Sequence, residues 1–327
     1  MRAATALRMI DPNVNWRERM VVVLGGGGFV GRYVCEQLFA TGVRVRVAQR
    51  HPRQAYFLQP LAAVGQLDVV RADMSRPDSL GPVIEGAWSV INLVGAFGGD
   101  LLRVHAEAPA RAAELAAQGG AESFVHVSAI GADPASPSIY SSTKGEGERR
   151  VRAAFPGATV IRPSLVFGQE DQLTNRFAGM ARRAFLPVLA PGTRFQPVWA
   201  GDLGRAIAAA AADPEEYGGK TFEIGGPQVM TMRELNREIA QLAGQDPEIV
   251  DLPNFVGDLV SRVGFLPGAP LTRDQWLMLQ HDNVASGPGL EAFGIAPTPL
   301  GSIGQEWLGR FRKGGRFASR NAQASAG

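Results

Sequence analysis

The chain has 327 residues, of which 45% are hydrophobic and 20% charged, and its formal net charge at pH 7 is +2. This length can bury one large core, or a core with a smaller lobe, and the small net charge excludes a general nucleic-acid binder. The single cysteine, Cys35, excludes an intrachain disulfide, and no apolar run reaches the roughly 20 residues that a membrane-spanning helix needs.

Both ends of the chain are expected to lie outside the folded core. Residues 1–19 are predicted to form an N-terminal extension, whose arginines only weakly resemble an organelle-targeting segment. The sequence leaves open whether Met1 or Met20 is the true start. Residues 312–327 are rich in Gly, Ser and Ala and are predicted to form a disordered tail.

Apolar runs alternate with segments of helical periodicity through the first half of the chain. Residues 29–41 and 101–118 are predicted to be helices. The alternation predicts an α/β fold, a Rossmann-type doubly wound parallel sheet. The predicted strands are residues 20–24, 43–48, 67–71, 88–94, 123–128 and 158–162.

After Arg162 this alternation ends, and Pro- and Gly-rich connections follow. A further strand is predicted at Thr221–Ile224, and helices at residues 232–243 and 271–279. We expect a smaller C-terminal lobe interleaved with the sheet. The predicted domains are a nucleotide-binding domain at 20–226, with its core ending near residue 165, and a lobe for substrate or a partner at 227–311.

The first predicted strand runs into glycines spaced as G-x-x-G-x-x-G. Gly25 is expected to adopt a positive φ, Gly28 to let the backbone approach a pyrophosphate, and Gly31 to let the next helix pack on the sheet. That helix opens with Phe29 and Val30, and its N-terminus would face the phosphates. Taken alone, such a turn could also be a tight connection only.

The segment after the second predicted strand indicates whether the bound nucleotide carries a 2′-phosphate. An acid there would bind a ribose 2′-hydroxyl and repel a 2′-phosphate, whereas Arg50 attracts the phosphate. NADP(H) is therefore favoured over NAD(H), unless Arg50 belongs to a merely solvated loop. Asp73, with Met74 beside it, follows the third strand, where a carboxylate can meet an adenine amino group. The alternative is a turn or helix N-cap residue.

The ends of the next two strands supply the candidate chemistry. Val94 and Gly95 are small enough to let a diphosphate-ribose pass close to the backbone, and Ser128 ends the fifth strand at the same edge. Tyr140 and Lys144 lie four residues apart on one helical face. The ammonium is expected to lower the pKa of the phenol from its usual value of about 10.

In this arrangement Tyr140 would exchange a proton with a carbonyl or an alcohol, Ser128 would hold the oxygen, and Lys144 would also bind the ribose. No metal site is predicted, because the four histidines have no ligand spacing to one another or to a cysteine. His126 is predicted to be a core residue. His105 is predicted to pack, although it could face the cleft whose far wall the C-terminal lobe is expected to form.

With these motifs the chain resembles the extended and atypical short-chain dehydrogenase/reductases over residues 20–226. The resemblance adds Arg162-Pro163 to the pattern. Candidate catalytic residues are then Ser128, Tyr140 and Lys144. The positions predicted to bind the cofactor are Gly25, Gly28, Phe29, Val30, Gly31, Arg50, Asp73, Met74, Val94, Gly95, Tyr140, Lys144 and Pro163.

A narrower resemblance extends to about residue 300. The segment Arg162–Asp171, with Asn175 and Phe177, is similar to the signature of the complex I alpha-subcomplex subunit 9 family and its bacterial relatives. His105 departs from the pattern, because relatives often carry Asn at that position. The resemblance implies a tightly held NADP(H) that stabilises the fold rather than reacts, in a protein that docks beside the quinone-binding region of respiratory complex I.

The resemblance also implies complex I subunits as partners, and a membrane surface is a further expected partner on separate grounds. We expect a cytoplasmic protein, peripheral on the inner face of the energy-coupling membrane in a bacterium, or on the matrix side in a mitochondrion. Phe255, Val256, Leu259, Val260 and Val263 form an apolar stripe at helical spacing, and residues 185–189 form a second apolar segment. The alternative is that the stripe is the core of the C-terminal lobe.

Two other functions stay open. Because Ser128, Tyr140 and Lys144 are intact, the chain could be an active NAD(P)H-dependent oxidoreductase on a carbonyl or alcohol such as a quinone precursor, and some relatives are linked to ubiquinone biosynthesis. A sugar-nucleotide epimerase or dehydratase shares the fold and these residues. The C-terminal lobe, however, shows no distinctive basic or aromatic cluster for a nucleotide sugar.

Overall fold

The computed structural model describes residues 16–262 and 271–312. They belong to two compact units. The sheet unit comprises the chain up to Pro163 with Ala200–Ile224 and Ala285–Ala296, and the small unit comprises Ser164–Trp199, Gly225–Val284 and the chain from Pro297 on. Most of the predicted extension and tail, and Val263 of the apolar stripe, lie outside the described residues. The predicted domain limits stay predictions.

The strands of the sheet unit follow the predicted apolar runs closely. They form one parallel sheet of seven strands, which confirms the predicted Rossmann-type α/β fold. In chain order they are β1 (Met20–Leu24), β2 (Arg44–Gln49), β3 (Leu67–Arg71), β4 (Ser89–Asn92), β5 (Ser123–Val127), β6 (Thr159–Pro163) and β11 (Thr221–Ile224). Their order across the sheet is β11-β6-β5-β4-β1-β2-β3.

The helices of the sheet unit include the two that were predicted, at residues 29–41 and 101–118. The predicted helix at 101–118 contains a π-helical turn at Arg103–Glu107. The α-helices are α1 (Phe29–Thr41), α2 (Gly81–Ile84), α3 (Ala108–Gln118), α4 (Ile139–Ala154), α6 (Ala200–Ala212) and α7 (Pro214–Tyr217). Short 3-10 helices occupy Trp16–Glu18, Pro52–Leu61, Pro77–Leu80 and Leu290–Phe293.

The burial of β1 shows why helices cover both faces of the sheet. Val22 and Leu24 pack in a core cluster with the alanines of α3. Val21 and Val23 are just as buried and point to the opposite face, because side chains alternate along a strand. Strands that are apolar on both faces are typical of parallel sheets.

Helix α6 was not predicted, and it packs against α1. Its sequence is mostly Ala and Gly, so it lacks the spaced large apolar residues that predict an amphipathic helix. A Cβ at Gly204 would lie 2.9 Å from the backbone carbonyl carbon of Tyr33. Small residues therefore allow the two helices to approach closely.

The small unit is built from pairs of short strands and several helices, and its sequence segments interleave with those of the sheet unit, as predicted. Phe167, Leu235, Ile239, Trp307 and Leu308 are central to its core. The strand pairs are β7 (Val166–Phe167) with β10 (Val198–Trp199), β8 (Phe185–Val188) with β13 (Glu248–Asp251), and β9 (Arg194–Phe195) with β12 (Met230–Thr231).

Helices of the small unit include the two predicted ones, α8 and α10, and each of these begins with a capping box. In residues 16–262 and 271–312, no helix combines the length and apolar character needed to cross a membrane. The helices are α5 (Gln172–Met180), α8 (Met232–Leu242), α9 (Asn254–Arg262), α10 (Arg273–Met278), α11 (Leu300–Ile303) and α12 (Gln305–Leu308), followed by a 3-10 turn at Gly309–Phe311.

Replacing Gly31 by Ala is expected to destabilise the sheet unit. A Cβ at this position would overlap the carbonyl oxygen of Gly26 and lie 2.6 Å from its Cα. Overpacking of this kind costs roughly 1–3 kcal/mol, which urea unfolding would measure. Gly81→Ala is the matched control, because no atom lies within 4 Å of a Cβ there. Equal losses in the two variants would show that close packing at Gly31 is not the cause.

Candidate functional site

The predicted site residues gather at one edge of the sheet. Because the strands are parallel, the loops that follow them leave at the same side. Helix α4 contributes Tyr140 and Lys144 from its first turns. The other predicted residues follow strand ends: Gly25 to Gly31 after β1, Arg50 after β2, Asp73 and Met74 after β3, Val94 and Gly95 after β4, Ser128 after β5, and Pro163 at the end of β6.

The glycine turn has the conformation that its spacing predicts. Gly25 has a φ of +82°, and its N–H donates to the carbonyl of Ala48 at 2.8 Å. A Cβ at Gly25 would lie 3.1 Å from Val94, whereas at Gly28 it would meet only the carbonyl oxygen of Gly25, at 3.2 Å. The backbone at Gly28 is therefore open to close approach by a ligand.

The N-terminus of α1 is unlike those of several other helices. Helices α4, α5, α8 and α10 each begin with a side chain that accepts a hydrogen bond from a first-turn N–H. Helix α1 has Gly28 as its N-cap, with no side-chain cap and no acidic residue in its first turn. Its first N–H groups and the positive end of its dipole are thus suited to an anion such as a diphosphate.

Arg50 and Asp73 are close enough for their charges to interact. Burial alone would raise the pKa of Asp73, but hydrogen bonds from Ser75 and the charges of Arg50 and Arg76 outweigh it and hold the pKa below its ordinary value. One oxygen of the Asp73 carboxylate accepts both the N–H and the hydroxyl of Ser75, at 2.9 and 2.8 Å. Asp73 thus also shapes the turn, which was the alternative role.

Met74 follows the same strand but is apolar. Its side chain is buried in the apolar core cluster of the sheet. The adenine contact of Asp73 and the cofactor contact of Met74 stay predictions.

Ser128 presents an unpaired hydroxyl at this edge. Its backbone N–H donates to the carbonyl of Ile161 at 2.7 Å, and its side chain is almost fully buried. The hydroxyl oxygen has no hydrogen-bond partner among the residues that the structure describes. Since a buried hydroxyl without a partner is costly, this hydroxyl is a candidate to pair with a polar group of a ligand.

Lys144 is held inside the site. Its Nζ donates to the carbonyl of Val127 at 3.1 Å, and it lies 3.6 Å from the position of a Cβ at Gly95. Burial lowers the pKa of Lys144 to about 8, and the nearby carboxylate of Glu148 partly opposes that shift. The Glu148 carboxylate in turn accepts two hydrogen bonds from one edge of the Arg162 guanidinium, from Nε at 2.9 Å and from Nη2 at 2.7 Å.

The expected low pKa of Tyr140 is wrong. Burial raises the pKa of the Tyr140 phenol to about 12, and Lys144 does not offset it. The ring of Phe97 stacks on the Tyr140 ring with centroids 4.8 Å apart and an interplanar angle of 10°. Tyr140 is therefore protonated at neutral pH, which suits a hydrogen-bond donor rather than a base.

His105 does more than pack. Its Nε2 accepts the N–H of Ala96 at 3.0 Å, and its Nδ1 lies 3.0 Å from the hydroxyl of Thr143. That hydroxyl donates to the carbonyl of Ile139, so Nδ1 carries the proton and donates to Thr143. Burial and the charge of Lys144 lower the pKa of His105 to about 3, in agreement with a neutral ring.

The π-helical turn brings His105 to this position, next to α4. A Cβ at Gly147 would overlap the carbonyl oxygen of His105, so glycine allows the close contact. The His105 ring also meets the Tyr140 ring edge-on, with centroids 5.2 Å apart. Through these contacts His105 links the loop after β4 to the helix that carries Tyr140 and Lys144.

These residues fit a nicotinamide nucleotide. The uncapped N-terminus of α1 and the open backbone at Gly28 suit a diphosphate, and the unpaired hydroxyl of Ser128 suits a polar group of the ligand. His126 is fully buried, as predicted for a core residue. Over the described ranges, no group of three or more His, Cys, Asp or Glu residues is placed to hold a metal ion.

Sequence reasoning missed Phe97, Thr143 and Gly147. Phe97 lies in a glycine-rich loop without periodicity, and Thr143 lies between Tyr140 and Lys144 without a motif of its own. Their roles depend on contacts between segments far apart in sequence. The one available signal was the small side chain of Gly147 inside a helix, which indicates close packing.

Comparison with known proteins agrees with this geometry. Residues 25–174 match a family model described as NAD(P)H-binding. The chain is 33% identical over 304 residues to NADH dehydrogenase (ubiquinone) 1 alpha subcomplex subunit 9, mitochondrial, of Rattus norvegicus, covering 90% of this chain and 80% of that protein. It is 30% identical over 240 residues to a ceramide reductase of Caulobacter vibrioides, covering 72% of this chain and 74% of that protein.

A solved structure shows the same fold. An NADPH-dependent quinone oxidoreductase of Escherichia coli, complexed with NADPH, matches with a TM-score of 0.68 at 20% identity, covering 88% of this chain and 99% of that one. At this identity the likeness concerns the fold alone. The matched family model shows that residues 25–174 contain an NAD(P)-binding domain.

The buried amine of Lys144 is expected to make stability depend on pH. Between pH 8 and about 10.4 the amine keeps its proton in the unfolded chain but loses it in the folded one, so the unfolded state binds more protons and stability rises with pH. Lys144→Met removes this titration. The free energy of unfolding of the unsubstituted protein, taken relative to that of the variant, should therefore rise by about 3 kcal/mol across this pH range.

Urea unfolding at fixed pH values, without added nucleotide, measures this difference. Comparing the two proteins cancels the titration of other buried groups such as Cys35, whose pKa burial raises to about 12. Parallel stability curves for the two proteins would mean that Lys144 is not desolvated in the folded state.

Proposed function

The chain belongs to the family of NADH dehydrogenase (ubiquinone) 1 alpha subcomplex subunit 9, and we propose that it is an NADP(H)-binding accessory or assembly subunit of respiratory complex I. One observation carries the proposal: the 33% identity extends over 90% of the chain. A shared nucleotide-binding domain alone would account for residues 25–174 but not for the small unit. The likeness therefore includes the part of the chain that the nucleotide does not explain.

NADP(H) is the proposed cofactor. The open end of α1 would hold the diphosphate, and Arg50, exposed after β2, would pair with the 2′-phosphate. Lys144, beside Gly95, would hydrogen-bond the ribose. When bound in its reduced form, the nucleotide would supply a hydride to a carbonyl compound, whereas a structural role needs no such step.

A structural role follows from how the proposed contacts are distributed. They come from the segments that follow β1 to β4, from α4 and from the end of β6, so one ligand would tie together six segments of the chain. A ligand that binds only the folded state stabilises it by mass action, by about 2.7 kcal/mol at a hundred times its Kd. Such a protein would present a fixed surface to its partners as long as nucleotide is bound.

Complex I subunits and a membrane surface are the proposed partners, with the protein peripheral on that membrane. Phe255 and Leu259 lie one turn apart on α9 and are 71% and 65% exposed, and Phe185 on β8 is 61% exposed. Val256 and Val260 of the same stripe are only partly exposed, because the helix also packs toward α10. The exposed part of the stripe supports a docking role for this face of α9, because side chains that served only as core would be buried.

A reductase is the second candidate, and the unpaired hydroxyl of Ser128 favours it. Ser128 would orient a carbonyl oxygen, Tyr140 would donate the proton, and Lys144 would hold the cofactor ribose. Because Tyr140 stays protonated at neutral pH, carbonyl reduction suits it better than alcohol oxidation. The likeness to a protein named ceramide reductase supports the same reaction class. No comparable observation supports a sugar-nucleotide epimerase or dehydratase.

A native gel of gently solubilised membranes would test the accessory role, with the protein and NADH dehydrogenase activity detected together. Co-migration is the expected result. Migration as a free species would contradict the proposal and turn attention to catalysis. NADPH oxidation with candidate carbonyl compounds would then be measured, and it should be lost in Tyr140→Phe if that residue donates the proton.

Arg50→Glu is expected to weaken NADPH binding at least tenfold and to leave NADH binding nearly unchanged, because a carboxylate repels the 2′-phosphate but not the hydroxyl. Equilibrium binding monitored by nucleotide fluorescence measures both constants. Arg44→Glu is the matched control: Arg44 is exposed at the opposite end of the same strand, so the charge change is equal but remote. Equal effects of the two variants would mean that Arg50 makes no specific contact.

A further inference from the structure

Lys144 is a buried cation, and the helix that carries it also carries a buried carboxylate. The lysine Nζ donates to the carbonyl of Val127, and Glu148 lies one turn further along α4 on the same face. The Glu148 side chain is only 4% exposed. Because a buried ammonium without an opposite charge is costly, a carboxylate at this position affects whether Lys144 keeps its proton.

The other ionisable groups around Lys144 are uncharged at neutral pH. His105 on the π-helical turn and His126 on β5 both feel the charge of Lys144, and burial lowers the pKa of each ring below its ordinary value. Tyr140, one turn before Lys144, keeps its proton because burial raises its pKa to about 12. Among the described residues, Glu148 is the group whose charge favours the ammonium form of Lys144.

A network of charges on the last strands of the sheet holds this carboxylate. Arg162 on β6 donates to both oxygens of Glu148, at 2.9 and 2.7 Å. Its Nη1 donates to one oxygen of Glu223 on β11 at 3.4 Å. The other oxygen of Glu223 accepts the N–H and the hydroxyl of Ser286, at 3.0 and 2.8 Å. Charges of alternating sign thus extend from Lys144 to Ser286.

This network carries more negative than positive charge. The carboxylates of Glu148 and Glu223 face the one guanidinium of Arg162, so a single negative charge remains to balance Lys144. The two parallel hydrogen bonds from Arg162 also keep the Glu148 carboxylate from turning away from the lysine. A simple ion pair between helix and strand would be neutral and would leave Lys144 without a counter-charge.

We propose that Glu148 is a positioning residue for Lys144, and that Arg162 and Glu223 hold Glu148 in place. The carboxylate lets the buried lysine keep its proton, so that an ammonium rather than a neutral amine meets the nucleotide. This assigns a role to Arg162, which none of the proposed nucleotide contacts uses. The inference deepens the proposed function, and rests on it, because it concerns the lysine proposed to bind the ribose.

The protonation of Lys144 can be followed directly, because the chain has three lysines, Lys144, Lys220 and Lys313. In the full-length protein labelled with ¹³C at lysine Cε, NMR gives one titration curve for each amine, and Lys144→Met identifies the curve of Lys144. Its midpoint should lie near pH 8. In Glu148→Gln the midpoint should fall by at least about one pH unit, because the neighbouring negative charge is lost.

Glu146→Gln is the matched control for the loss of one negative charge from α4. The Glu146 carboxylate pairs with Arg149 and Arg150 instead of facing the lysine. The midpoint of Lys144 should therefore stay in place in this variant.

Two further variants separate a positioning role from a merely structural one. Glu148→Asp keeps the charge, so it should restore most of the midpoint that Glu148→Gln loses. Glu223→Gln should lower the midpoint by less than Glu148→Gln does, because Glu223 reaches Lys144 only through Arg162. A general loosening of the fold would not produce this order.

An unchanged Lys144 midpoint in Glu148→Gln would overturn the proposal, and so would an equal fall in Glu146→Gln. If Glu148→Gln does not fold, Glu223→Gln decides, and an unchanged midpoint there has the same meaning.

NADPH affinity in the same proteins tests the consequence for the nucleotide. In Glu148→Gln it should be several-fold weaker at pH 8, where the amine has largely lost its proton, and equal to that of the unsubstituted protein at pH 6, where both amines are charged. Equal affinity at pH 8 despite a lowered midpoint would contradict the proposal. Failure of NADPH to bind the unsubstituted protein contradicts the proposed function instead, whatever the titration of Lys144 shows.

Discussion

The parallel direction of the seven strands is the constraint on which the site depends. Parallel strands need crossovers, and each crossover returns the chain so that every strand ends at the same edge. Residues separated by more than a hundred positions, such as Gly25 and Ser128, thereby come to one place. The turn after β1 adds a second condition, because Gly31 must let α1 lie against Gly26 before the helix N-terminus can face that edge.

Burial then decides the protonation of the groups gathered there. Lys144, Tyr140 and His105 are all removed from water, and for each the uncharged form is favoured: the pKa of the lysine falls to about 8, that of the histidine falls to about 3, and that of the tyrosine rises to about 12. Hydrogen bonds to Val127, Ala96 and Thr143 keep the lysine and histidine satisfied in this environment. At neutral pH the histidine and the tyrosine are therefore uncharged, whereas Lys144, whose pKa of about 8 lies above that pH, keeps its proton.

An edge that holds one buried cation, Lys144, suits a protein that binds a nucleotide, and it keeps the groups that a reaction would need. Ser128 retains an unpaired hydroxyl at the sheet edge from which the helix of the protonated Tyr140 also starts, and a carbonyl acceptor would need both groups. Nucleotide binding and carbonyl reduction therefore use the same residues. Which of the two occurs depends on whether a second compound reaches Tyr140. Phe97 lies directly over that ring, so the loop after β4 controls this access.

The features that the sequence predicted well depend only on residues close together in the chain. Backbone sterics require glycine at Gly25, apolar runs mark β1 to β6, and helical spacing places Tyr140 and Lys144 on one face, so all of these follow from neighbours in the chain. Only the tertiary structure decided the stack of Phe97, the two bonds of His105 and the high pKa of Tyr140. These depend on burial and on contacts between distant segments, and a neighbouring lysine could not reveal that desolvation would outweigh its charge.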